Sequence, residues 1–181
     1  MSKQGMLFVQ GKDRPGIIQT VTGILFAAGA NLEDISMSLL EGQFAMMLSF
    51  EIQSARWNKL EEKTGALKRK PWGLNVDLIS IARKNNLKQN AAKSVLITAI
   101  GKDRTGIVYQ LSSGLAKMRA NITNLDCRLL RQAKNNNLYS LALAVDLAKN
   151  SDFKNVQSLI KSWESKLGIE VKLHSSESAV F

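Results

Sequence analysis

Cysteine, histidine and proline are scarce in this chain, with one Cys, one His and two Pro among 181 residues. A single thiol closes no intrachain disulfide, and one Cys with one His falls short of a zinc site, so neither a disulfide scaffold nor a metal centre is expected. Cys127 stands at an apolar position of a predicted strand, where the pattern predicts a small buried hydrophobe rather than a reactive thiol. His174 lies near the C-terminus with no nucleophile to pair with, and reads as a surface residue. No catalytic residue and no cofactor is therefore expected, and the chain reads as something other than an enzyme. Long apolar runs are lacking too: none approaches the roughly 18 residues of a membrane span. Met1-Ser2-Lys3-Gln4-Gly5 leads into a strand pattern rather than a signal peptide. A cytoplasmic protein with no membrane partner is the expectation.

What is present is an ordinary globular composition, 45% hydrophobic and 22% charged. The net charge of +10 is uneven, with +1 over 1–80, +4 over 81–93 and +5 over 94–181. Lys68-Arg69-Lys70, the 81–93 stretch, and Arg128, Arg131 and Lys134 together motivate a reading as a nonspecific nucleic-acid-binding regulator. No helix-turn-helix, zinc-ligand spacing or RNA-binding aromatic motif accompanies them, and scattered lysines more often form a solvated face.

The sequence repeats itself. Gly11-Lys12-Asp13-Arg14-Pro15-Gly16-Ile17 returns 90 residues later as Gly101-Lys102-Asp103-Arg104-Thr105-Gly106-Ile107. The same offset carries Ala30-Asn31-Leu32 onto Ala120-Asn121-Ile122 and Ile35, Met37 and Leu39 onto Leu125, Cys127 and Leu129. Beyond that point Phe44 to Leu48 matches Tyr139 to Leu143 at an offset of 95, which places a polar insertion, Gln132 to Asn137, at a hairpin tip.

The hydrophobic period changes in the same order within each copy. Leu7 to Val9 and Val95 to Ile100 read as buried strands. Ile17, Val21, Ile24 and Ala28, and then Ile107, Leu111, Leu115 and Met118, recur at helical spacing. Ile35, Met37 and Leu39 alternate with polar residues, predicting an edge strand buried on one face, and Phe44 to Ile52 predicts a central strand buried on both. A second helix follows through Trp57, Leu60 and Leu67, and through Phe153, Val156, Ile160, Trp163 and Leu167. Final strands at 72–80 and 168–174 complete βαββαβ twice, an α+β fold of two ferredoxin-like units with antiparallel sheets and both helices on one face. The expected domains are 1–80 and 94–175, joined by a basic linker at 81–93 and followed by a tail at 176–181.

The loop between first strand and first helix has chemical content. Pro15 suits the opening of a helix, and Asp13 can cap it through an Asx turn. Gly16 and Gly106 lack a Cβ, so a ligand can approach unpaired amides at the positive end of the helix dipole, where a carboxylate is favoured. Asn31 and Asn121 offer a donor and an acceptor after the same helix. The same residue types also build tight turns and caps without any ligand.

On these residues the sequence resembles the ACT domain family, and within it the tandem-ACT proteins of the glycine cleavage system transcriptional repressor family. The resemblance covers about 1–80 and 94–175. It implies a non-catalytic regulatory protein that binds a small-molecule effector, an amino acid first, near the first loop and helix, and acts in trans on a transcription factor or enzyme. It also implies paired domains and a homodimer. Carried over by position, the ligand-binding candidates are Asp13, Arg14, Gly16 and Asn31, and in the second copy Asp103, Arg104, Gly106 and Asn121. Thr105 departs from the family's frequent proline, which either loosens the second helix start or lets the Thr hydroxyl cap it instead. A structural assembly module remains an alternative, through edge strands pairing between copies or chains.

Overall fold

The computed structural model describes residues 1–82, 93–131, 137–148 and 153–175, with the side chains of Phe153 and Ser175 excepted. Most of the basic linker (83–92), most of the hairpin insertion (132–136) and the 176–181 tail lie outside the described residues. The chain divides into two units, Met1–Asn85 and Asn86–Phe181.

The first unit runs β1 (Ser2–Lys12), α1 (Ile17–Ala27), β2 (Asn31–Leu40), β3 (Gln43–Gln53), α2 (Trp57–Ala66) and β4 (Asn75–Ile81). The second runs β5 (Ser94–Lys102), α3 (Ile107–Lys117), β6 (Asn121–Leu130), β7 (Leu138–Asp146), α4 (Phe153–Leu167) and β8 (Ile169–Ser175). Their sheets have the orders β2-β3-β1-β4 and β6-β7-β5-β8, with antiparallel neighbours throughout. These are the two ferredoxin-like βαββαβ units that the repeat predicts.

Each sheet buries one face beneath its helices. In the first unit Leu7 and Val9 of β1 and Met46, Leu48 and Phe50 of β3 meet Val21 and Leu25 of α1 and Leu60 of α2, all buried. The second unit repeats this with Ile97, Leu141, Leu143 and Val145 against Leu111, Leu115, Val156 and Trp163. Each such aliphatic side chain contributes about 1.5–3 kcal/mol on removal from water. The buried Thr64 hydroxyl donates to the Leu60 carbonyl at 2.9 Å, so the α2 face carries no unpaired polar atom there.

The structure corrects several details. Leu25, and not Ile24, completes the buried stripe of α1, Ile24 being packed at its margin. The central strand β3 is buried on one face alone, with Met47 43% exposed on the other. The edge strands β2 and β6 are at the edges as predicted, yet their apolar faces are open: Met37 is 48% exposed and Leu129 42%. Cys127 is likewise exposed, against its expected burial. Both helices lie on one face of the sheet, which leaves Met47 open on the other, and a second reason holds for the edge strands and Cys127. Two helices cover the middle of a four-stranded sheet but do not reach over its outer strand.

Candidate functional site

The repeated loop leaves β1 where Lys12 pairs with Gln43, and it enters α1 through Gly16. Gly16 has φ 92°, and Gly106, at the start of α3, has φ 91°. That left-handed conformation costs a residue with a Cβ roughly 1–2 kcal/mol, which accounts for glycine in both copies. No side chain caps either helix. Asp13 and Thr105 therefore do not play the capping parts open to them. The amides of Ile17, Ile18 and Gln19 consequently have neither an intrahelical acceptor nor a side-chain one, and they carry the positive end of the α1 dipole. A Cβ placed on Gly106 would meet no atom within 4 Å, and one on Gly16 only Trp72, at 3.6 Å. Space above the glycines is thus open.

A crevice of about 390 Å³ lies against this loop in the first unit, between α1 and the edge strand. Asp13, Arg14, Gly16 and Gln19 form its polar side, with Met37 of β2 and Phe44 of β3 on the apolar side. Strand register explains that floor. Met37 pairs with Met46 and Leu39 with Phe44, so Met37 and Phe44 share the helix-bearing face of the sheet beside the uncovered edge. In the second unit Cys127 pairs with Leu141 and Leu129 with Tyr139, which sets Cys127 and Tyr139 in the corresponding positions beside Gly106.

Tyr139 has its pKa pushed up to about 12 from the ordinary 10. Its hydrogen bond with Cys127 is the largest cause, followed by burial and by the negative charges of ionised Cys127 and Asp103. Beside the second motif loop, Tyr139 thus interacts with Cys127 and feels the charge of Asp103, where the first copy presents Asp13, Met37 and Phe44.

The candidates read from the sequence divide into three groups. Asp13 and Gly16 line the first crevice, and Asp103 and Gly106 occupy the matching loop. Arg14 also borders the crevice: Nη1 donates to the Pro71 carbonyl, the group lies 4.8 Å from the centre of the Trp72 ring, and Nε is buried with no hydrogen-bond partner among the described residues. Arg104 is exposed, close to Gly168. Asn31 and Asn121 are not brought to the loops. Asn31 pairs with Glu51, eight residues along β3 from the Lys12–Gln43 pair, so roughly 26 Å of strand separates it from the motif. Asn121 stands at the same remove, paired with Asp146.

Met37, Phe44, Cys127 and Tyr139 were missed as site residues. Their signal was available, since each lies beside a motif loop in the predicted topology and Cys127 and Tyr139 depart from their counterparts in polarity. Among the described residues there is no group of three or more His, Cys, Asp or Glu that could hold a metal ion, and no helix long and apolar enough to cross a membrane.

Fold and loop together define a tandem repeat of one regulatory-domain architecture. The ACT domain family model matches residues 6–78 and again 93–174, and the chain belongs to that family. Among its relatives, a UPF0237 protein of Neisseria meningitidis serogroup A is 34% identical over 83 residues, spanning 45% of this chain and 87% of that protein. The glycine cleavage system transcriptional repressor of Escherichia coli is 30% identical over 80 residues, 43% of this chain and 38% of the repressor. The crystal structure of an unknown protein from Galdieria sulphuraria superimposes with a TM-score of 0.80 at 22% identity, covering 97% of this chain and 99% of that one. A crystal structure described as a candidate glycine cleavage system transcriptional repressor gives a TM-score of 0.69 at 17% identity, over 96% and 97% of the two chains. At those identities the two structures speak to the fold. The sequence relationship to a repressor supports a regulatory role.

Proposed function

We propose that this chain is a non-catalytic regulator that senses an amino acid and acts in trans, in the cytoplasm, on a transcription factor or an enzyme. The observation that carries this reading is the crevice beside Gly16, which the uncapped start of α1 and Asp13 line together. The amides suit a carboxylate, Asp13 suits an ammonium group, and Met37 and Phe44 suit the side chain between them. A zwitterionic amino acid satisfies all three at once. The repressor-like relative favours output through a protein partner rather than through chemistry at the site. A homodimer belongs to the same reading, supported by the uncovered apolar residues of edge strands β2 and β6. Binding alters such an assembly only if the ligand prefers one arrangement over another.

Isothermal titration of the full chain against a panel of amino acids tests this. Saturable heat from at least one is expected, lost when either its amino or its carboxyl group is removed and weakened by Gly16→Val or Gly106→Val. A panel that produces no heat from any member rejects the reading.

A further inference from the structure

A groove of about 1140 Å³ runs along α3 and α4 in the second unit, away from the motif loop. It arises where the two helices meet at Gly114. A Cβ there would lie 2.9 Å from Trp163 Cζ2 and 3.0 Å from Leu159 Cδ1, so glycine lets the two helices approach closely. Ser113, Ser158 and Ser162 line the walls, and Leu159, Met118 and the buried Trp163 form the floor.

The charge of the groove is of one sign. Lys117, Arg119 and Lys166 border it and no acidic residue does. Among the described residues none of the three has an ion-pair partner. Because α3 and α4 run antiparallel in a βαββαβ unit, Lys117 and Arg119 at the end of α3 mark one mouth of the groove, and Lys166 at the end of α4 marks the other.

The first copy shows that this arrangement is not a requirement of the fold. There the position matching Arg119 is Gly29, and Arg56 packs against it while donating to the Ala28 carbonyl at 3.2 Å. In the second copy Arg119 itself takes the left-handed conformation, φ 55°, that Gly29 adopts with no side chain. A side chain is thus held in an unfavourable backbone region, and its cation borders the groove.

We propose that the α3–α4 groove is the docking surface for an acidic, amphipathic helical segment of a protein partner. Tyr109 to Lys117 spans roughly 12 Å of helix, the length of about two turns of an incoming helix. The small walls let a third helix approach closely, the floor takes its apolar stripe, and acidic residues near its two ends meet the cations at the two mouths. A nucleic-acid backbone suits the groove less well, because three cations divided between its ends over an apolar floor cannot follow a continuous line of phosphates. This inference rests on the proposed action through a protein partner, and is independent of whether the motif crevice binds an amino acid.

The test uses the full chain as bait for a displayed library of random 14-residue peptides, followed by fluorescence anisotropy of the selected peptides in solution. Enrichment of peptides with acidic residues near both ends and apolar residues at helical spacing is expected. Their affinity should fall at least tenfold in Lys117→Glu/Arg119→Glu/Lys166→Glu and in the groove-filling Ser162→Phe. It should be unchanged in Lys68→Glu/Arg69→Glu/Lys70→Glu, which alters charge equally in the first unit. Circular dichroism verifies that the variants fold. Selection without acidic enrichment, equal loss in the two charge variants, or displacement of the selected peptides by single-stranded DNA at lower concentration than by acidic peptide would overturn the proposal. Amino-acid titration of the same groove variants separates the two readings, since heat from the crevice should persist when peptide binding is lost.

Discussion

The two motif loops and the strands beside them share a frame and differ in chemistry. Met37 and Phe44 stand where the second copy has Cys127 and Tyr139, on strands of matching register and beside glycines of nearly identical φ. A duplicated sheet thus preserves positions while the side chains at the open edge diverge. Buried positions differ as well, Val9 standing against Ala99 and Phe50 against Val145, but there apolar replaces apolar, whereas a change of polarity is found beside the motif loops, where it costs less packing.

The largest effect with which to break that comparison lies in the cores. Leu48 and Leu143 occupy matching buried places in β3 and β7, each 1% exposed. Leu48→Ala and Leu143→Ala should each destabilise their own unit by about 2–5 kcal/mol, read from urea denaturation with probes in each half. A change in one copy that costs nothing in the other would show that the two cores are not equivalent. Smaller is the effect at the loops. Gly16→Ala and Gly106→Ala should each cost about 1–2 kcal/mol, because the penalty is the positive φ and not a clash. If either variant proves neutral, the helix entry is not held in the left-handed region, and the shared frame fails at its most conspicuous point.

Much of this was legible in the sequence because a repeat supplies its own control. The spacing of Ile107, Leu111 and Leu115 echoes that of Ile17 and Val21, and all of these are buried. The edge strands were less transparent. Alternation of Ile35, Met37 and Leu39 with polar residues reports that they share a face of the sheet, but not whether a helix lies over that face. Cys127 was misplaced for that reason. Asn31 was grouped with the loop because it follows α1 closely in sequence, whereas a strand runs its length before returning, and register sets Asn31 at the far end. Asp13 was given a cap that the left-handed Gly16 makes unnecessary, since the chain turns into α1 through the glycine itself.

Titration sharpens the contrast between the two copies. Tyr139 holds its proton up to about pH 12, whereas an unfolded chain releases it near 10. Between those values the native state binds the extra proton, so this contribution to stability is complete below pH 10 and is lost as pH rises through the window. Tyr139→Phe, which gives the second copy the residue of the first, should abolish that slope. Phenolate absorbance in a Tyr109→Phe background should report a midpoint about 12, falling toward 10 in Cys127→Ala. A midpoint already near 10 with Cys127 intact would mean that the hydrogen bond between the two side chains does not form.

The smallest effect concerns the one position where the motifs themselves disagree, Pro15 against Thr105. The backbone that follows is alike in both, with ψ −5° at Gly16 and 4° at Gly106, and each glycine leads into a helix of 11 residues. Proline should therefore fit at Thr105 without rearranging the loop, and no capping bond from the Thr105 side chain stands to be lost. Fewer conformations of the unfolded chain should then stabilise Thr105→Pro by about 0.4–1 kcal/mol. Pro15→Thr should lose a similar amount. Urea midpoints measured at an unchanged m-value decide it. A second unit made weaker by the proline would place a hydrogen bond on the Thr105 amide, and the two loops would then differ in backbone as well as in sequence.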